Sequence, residues 1–195
     1  MNRIQRSSHL ILSGFLILLL QVQGLAAELT IEQTQSDAYF ELEHVIGFNS
    51  GFIKNFSGTL DFDLNAEILQ NIAITFQVDS VETFDEARNK LLVSNSFFDT
   101  RNYPTAALVS SEIYPDKNRF TGKVTMKGIT KTVDFQYRYI GLQPQPDGSH
   151  HILLYIEGQL NREDFGLTYN VANAEGKNML GTTLEMNLSI LAETQ

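Results

Sequence analysis

The chain has 195 residues, no cysteine, and a formal net charge of −9 at pH 7. Nucleic acid and anionic lipid surfaces are held by clustered Lys and Arg, so this acidic balance argues against both as partners. Without cysteine there is neither a disulfide nor a thiol nucleophile, and stability must come from core packing.

The first residues read as a leader. Arg3 and Arg6 precede an apolar run from Leu10 to Val22, and "GLAAE" (Gly24–Glu28) offers small residues for cleavage after Ala26 or Ala27. That is the pattern of a secretory signal peptide. The run falls short of the roughly 20 residues that span a bilayer. The expectation is a signal peptide at 1–27, one domain at 28–195, and a periplasmic location.

The domain is dominated by period-two alternation, the mark of half-buried antiparallel strands. Asp37–Glu43 is a first, less regular segment. In Ser57–Leu64, Leu60, Phe62 and Leu64 alternate with Thr59, Asp61 and Asp63. In Asn71–Ser80, Ile72, Ile74, Phe76 and Val78 form one face. "TFDEARNKLLVS" then breaks the period. Thr83 and Glu86 have capping-box spacing, and Phe84, Ala87, Arg88, Leu91 and Leu92 follow helical spacing. This predicts one short helix over Phe84–Val93.

"NSFFDTRNYPTAAL" (Asn95–Leu108) follows the helix. Phe97 and Phe98 cannot share a face of an extended chain. One is expected to close the barrel end and the other to pack under the helix. Thr105–Ile113, Arg119–Gly128, Thr132–Gly141, Ile152–Leu160 and Leu184–Ile190 complete about eight strands. Turn signals at Pro115–Asn118 and Pro146–His151 separate them. Such a sheet closes into a barrel or splits into a sandwich. An eight-stranded barrel is filled by side chains or holds one small ligand.

Catalytic and metal patterns are absent from the sequence. There is no G-x-S-x-G elbow and no HExxH or CxxC spacing. His150 and His151 are adjacent, so a strand points them to opposite faces. The carboxylate pairs Glu41/Glu43, Asp61/Asp63 and Glu163/Asp164 read as solvated faces. Gly122, Gly128, Gly158, Gly166 and Gly181 read first as barrel corners and second as places of close approach.

Several motifs together resemble those of the YceI-like family over roughly Ser36–Glu193. "SDAYFELEH" (Ser36–His44) is similar to its first strand, and "FSGTLDFD" (Phe56–Asp63) to its F-x-G-x-[ILV]-x-F-[DN] segment. "LLVSNSFFDTRNYPTAALVS" (Leu91–Ser110) resembles its S-x-x-F-F-D-x-x-x-Y-P signature. "FTGKVTMKGITKTVDF" (Phe120–Phe135) and "LNREDFGL" (Leu160–Leu167) resemble two further motifs. Glu32, Gln35 and Ser36 depart from the usual D-x-x-H-S opening, and Val124 stands where Leu is usual.

The resemblance implies a mainly β, single antiparallel eight-stranded lipocalin-like barrel with one short helix between strands three and four. It also implies a non-catalytic carrier for a long isoprenoid-type or quinone-like lipid. The expected partners are that lipid and, transiently, membrane redox proteins, with no other cofactor and no metal. The expected cavity lining is Phe40, Leu42, Phe62, Ile74, Phe76, Phe97, Phe98, Phe120, Val124, Phe135, Leu154 and Phe165. Arg88, Arg101 and Arg162 are the candidates for a polar head group. A barrel filled with side chains has the same alternation, so the pattern leaves a packed interaction module open. The remaining alternative is an enzyme acting on such a lipid, with His44, Glu163 and Asp164 as acid–base groups.

Overall fold

The computed structural model describes residues 26–194. The expected leader lies outside these residues except for Ala26 and Ala27. The strands are β1 (Ala26–Ile31), β2 (Asp37–His44), β3 (Gly47–Ile53), β4 (Phe56–Asp63), β5 (Ile68–Gln77), β6 (Val81–Glu82), β7 (Thr105–Tyr114), β8 (Arg119–Met126), β9 (Ile129–Pro144), β10 (His150–Asn161) and β11 (Leu180–Thr194). They form one antiparallel sheet in the order β1-β4-β5-β7-β8-β9-β10-β11, and β11 pairs back onto β1. The sheet is therefore a closed barrel, which leaves no edge strand around that ring.

Three of the wall strands are broken. Beyond short interruptions, β2 continues β1, β3 runs in line with β4, and β6 continues β5. Counting each broken strand once gives the expected eight strands. The helix α1 (Glu86–Val93) falls between the third and the fourth.

Two serines repair the breaks. Ser36 Oγ donates to Glu32 O at 2.8 Å and accepts from Leu191 N at 2.9 Å. Ser80 Oγ accepts from Asn55 N at 2.9 Å and donates to Gln77 O at 2.6 Å. Each hydroxyl takes up backbone groups that the interrupted ladder drops, as interior backbone requires.

Below the breaks the barrel is solid. Leu29, Leu60, Phe62, Ile72, Leu108, Phe120, Ile152, Leu154 and Ile190 are fully buried. Each such side chain contributes roughly 1.5–3 kcal/mol. Phe120 and Phe135 are register partners whose rings stack at 5.0 Å and 13°.

The glycines divide between two uses. Gly128 and Gly166 have φ of +73° and +71° and make turns. Gly122 and Gly158 make room for aromatic rings instead. A Cβ at 122 would lie 2.6 Å from Leu108 Cδ1 and 3.2 Å from Phe135. Close approach, not corner geometry, explains these two.

Three local expectations change. The helix is capped by Asp85, whose side chain accepts from Arg88 N at 3.0 Å, while Thr83 Oγ1 donates to Asn89 Oδ1 at 2.7 Å. Phe84 stands before the helix with φ +58° and is 83% exposed, so it adds nothing to a helical apolar face. Asp63 is buried, and its Oδ1 accepts from Asn65 N and Ala66 N at 2.9 Å, so it forms a turn and not a solvated face.

The Phe97–Phe98 pair lies in a turn and not in an extended chain. Phe97 N donates to Ser94 O and Phe98 N to Leu92 O. This chain reversal lets both rings face the same side. They meet edge to face at 5.0 Å. Pro104 immediately precedes β7, and its carbonyl accepts from Val78 N at 2.9 Å.

Candidate functional site

Past the breaks, β6 pairs with β3, and the β5–β7 ladder ends at Gln77 and Thr105. The space left in the wall is spanned by α1 and the turn after it. They cover a cavity of about 390 Å³, within the roughly 300–1,000 Å³ of small-molecule sites. Ala38, Phe40 and Leu42 line it from β2, Phe76 from β5, Leu91 and Leu92 from α1, and Leu184, Met186 and Leu188 from β11. Phe97, Phe98 and Met126 close it further. Gly51 belongs to the same construction. A Cβ there would stand 2.9 Å from Phe40 Cζ and 2.6 Å from Glu82 O.

One wall is a long strap, residues 166–179, between the turn after β10 and the start of β11. Leu167, Tyr169, Val171 and Met179 face the cavity from it. Two side chains hold it. Asn170 Oδ1 accepts from Met179 N at 3.1 Å and Leu180 N at 2.9 Å, and Asn170 Nδ2 donates to Leu180 O at 2.9 Å. Arg162 Nε donates to Gly181 O at 2.8 Å, and Nη1 donates to Leu167 O and, at 3.0 Å, to Tyr169 O. Burial pushes the Arg162 guanidinium pKa down.

The helix is tied to the wall by Glu82. Its carboxylate accepts from Asn89 Nδ2 at 2.8 Å, from Phe84 N at 2.7 Å and from Lys54 Nζ at 3.1 Å. Led by the Asn89 bond, these hydrogen bonds hold its pKa down from the ordinary 4.5 to about 2.

The expected lining residues separate by height. Phe40, Leu42, Phe76, Phe97 and Phe98 border the cavity. Phe62, Ile74, Phe120, Val124, Phe135, Leu154 and Phe165 are buried in the packed core and do not. Of the three arginines, Arg162 and Arg88 border the cavity, while Arg101 is exposed on the turn after Phe98. Arg88 lies at the rim and pairs with Asp85 at 3.7 Å.

His44 borders the cavity, but Glu163 and Asp164 are exposed and lie off it. The three acid–base candidates are therefore not gathered there. His150 and His151 start β10, at the end of that strand remote from Arg162, and His151 Nε2 lies 3.5 Å from Glu193. Among the lining residues missed in the sequence were Leu167, Tyr169 and Val171, whose period-two alternation with Thr168 and Asn170 was the signal that could have found them, and Met179, which has no such signal.

A second concavity, of about 730 Å³, opens where β9 and β10 part beyond Phe135 and Gly158. Arg119, Lys131, Asp134, Glu157 and Glu185 line it. Its polar walls suit water, and of these two the first cavity is the one lined for an apolar guest.

The sequence model of the YceI-like domain matches residues 29–192. The chain belongs to this family. Among YceI-like relatives, a UPF0312 protein of Staphylococcus epidermidis is 30% identical over 160 residues, covering 81% of this chain and 92% of that one. The fold is similar to that of BcnA from Burkholderia cenocepacia, with a TM-score of 0.65, 23% identity, and coverage of 83% and 98%. It is also similar to a polyisoprenoid-binding domain from Saccharophagus degradans, with a TM-score of 0.59, 13% identity, and coverage of 88% and 100%.

Proposed function

We propose that this chain is an exported, non-catalytic carrier that holds a long isoprenoid-type lipid in the cavity between the strap, α1 and the broken strands. One observation carries the reading: the cavity is walled almost wholly by aliphatic and aromatic side chains, whereas the second concavity has polar walls. Apolar walls favour an apolar guest, at about 0.8 kcal/mol per buried methylene. A tail of many methylenes is then held without catalytic machinery. Family membership and the polyisoprenoid-binding neighbour support the same choice of ligand.

Export rests on the leader pattern at residues 1–27, with a periplasmic destination. Cleavage after Ala27 removes the Ala26 and Ala27 pairings with Asp63 and Phe62 and keeps the rest of β1 on β4. Intact mass of the exported protein reads the cleavage point. A quinone-like head group is the case in which membrane redox proteins are the transient partners.

The deciding experiment is mass spectrometry of lipid extracted from protein purified without refolding. A polyprenyl species in near-stoichiometric amount is expected. Absence of any co-purified lipid, with no uptake of added polyprenol, sinks the proposal.

A further inference from the structure

One buried donor near the cavity is unused. The Arg162 side chain is 1% exposed. Its Nε and Nη1 are spent on the carbonyls of Gly181, Leu167 and Tyr169, but among the described residues Nη2 has no hydrogen-bond partner. Among the described residues the one carboxylate paired with it, Glu163, is 3.7 Å away, beyond hydrogen-bond length, and 41% exposed. A guanidinium does not give up its proton in proteins. Arg162 is therefore a fixed positive charge beside an apolar chamber, with one donor nitrogen unpaired. A buried unpaired donor on a charged group is costly, and native structures rarely leave one without a use.

The rim has the opposite character. His44 and Asn49 border the cavity, and the hairpin tip between them carries Val45, Ile46 and Phe48, all exposed. Ile46 is 88% exposed. Val45 N donates to Met179 O at 3.0 Å, which joins this tip to the strap, where Val171 is also exposed. Apolar groups thus gather on the hairpin side of the mouth; the rim cation Arg88 is paired with Asp85, whereas the cation inside keeps an unpaired nitrogen. An amphiphile bound head-out would set its polar end among Val45, Ile46 and Val171 and leave Arg162 Nη2 unmet.

We infer that the cavity takes its lipid polar end first, with an oxygen acceptor, anionic in preference, on Arg162 Nη2 and the tail running out over the apolar rim. The ligand class is a prenyl chain ending in a carboxylate or phosphate oxygen. The same guanidinium then holds both the strap and the head group. This rests on the carrier reading and specifies the orientation of its guest.

The test compares farnesoic acid, farnesol and farnesene binding to the delipidated full-length mature protein. Tyrosine fluorescence is the readout, since the chain has no tryptophan and Tyr39 and Tyr169 border the cavity. Farnesoic acid is expected to bind about 10-fold tighter than farnesene or more, the factor one charge-assisted hydrogen bond supplies. In Arg162→Lys, the ratio of farnesoic acid to farnesene affinity is expected to collapse towards one; because Arg162 also pins the strap, both affinities are measured in the variant and the ratio, not either affinity alone, is the readout. A crystal structure with farnesoic acid places the head group directly and does not depend on the variant folding. A carboxylate on Arg162 Nη2 supports the inference, and one at the rim beside Arg88 overturns it. Equal affinity for acid and hydrocarbon overturns the orientation and leaves the carrier reading standing. Failure of all three ligands to bind overturns both.

Discussion

Phe135 occupies the space that a side chain at position 158 would need: its ring atoms lie 2.4 Å from where a Cβ on Gly158 would stand. The two residues are register partners on β9 and β10, and Phe120 stacks on the far side of the ring. Gly158→Ala is therefore expected to destabilise the barrel by about 1–3 kcal/mol through overpacking. Thermal denaturation checks this. Lipid bound per folded molecule should not change, because neither residue borders the cavity. An unchanged melting temperature would mean that the ring moves aside freely.

Ala38 offers the reverse case. It is buried, lines the cavity and pairs with Leu188. Ala38→Phe adds a ring into open space and not into packed atoms. Lipid co-purification is expected to fall several-fold, with stability held within about 1–3 kcal/mol. Full lipid retention in a well-folded variant would place the guest elsewhere.

Acid should loosen the helix before it unfolds the barrel. The folded pKa of Glu82 is depressed, so its contribution is complete above the ordinary 4.5 and is lost as pH falls towards about 2. The sign follows from linkage: in that window the unfolded state binds more protons. The protection factors of the Phe84 and Asn89 amides, taken against the intrinsic exchange rate at each pH, are expected to fall on acidification across the window. Glu82→Gln should show the lower protection already at neutral pH and lose the pH response. A variant that still responds in full would assign the effect to another group.

Asn170 governs the strap. Its Oδ1 accepts from Val171 N, Met179 N and Leu180 N, and alanine leaves those donors to water. Asn170→Ala is expected to cost about 1–3 kcal/mol. Faster hydrogen exchange at Met179 and Leu180, together with faster lipid release, is the predicted signature. Release at the unaltered rate would show that the lipid does not leave past the strap.

Much of the wall was legible in the residues, for a definite reason. Leu184, Met186, Leu188 and Ile190 alternate because β11 packs one face inward along its length, and β5, β8 and β9 follow suit. Gly47–Ile53 was not legible. Its Gly-Phe-Asn-Ser-Gly run is rich in loop residues and becomes β3 because β2 presents a ladder to it, pairing overriding propensity. The helix start was misread for a local reason: Thr83 has cap chemistry, but Asn89 takes its hydroxyl and Asp85 caps instead.

The site was legible only in part. Alternation says which residues point inward, not how far along the barrel they sit. Phe40 and Phe62 have the same pattern, yet one borders a cavity and the other is packed solid. The difference is made by breaks bridged through Ser36 and Ser80, whose partners Leu191 and Asn55 lie far off in sequence. Arg162 stands with Arg88 and Arg101 as a head-group candidate, and nothing in the sequence sets it apart from those two. Its burial is created by carbonyls of the strap and of Gly181.

The breaks in three adjacent strands have a further consequence. They divide the barrel into a closed end, where Leu60, Ile72, Phe120 and Ile152 hold the fold, and an open end, where Ala38, Phe76, Phe98 and Leu184 shape the guest. Substitutions in separated regions act nearly independently. Cargo selectivity can therefore be re-tailored at one end while folding is guaranteed at the other, which makes this scaffold a host for engineered lipid specificity.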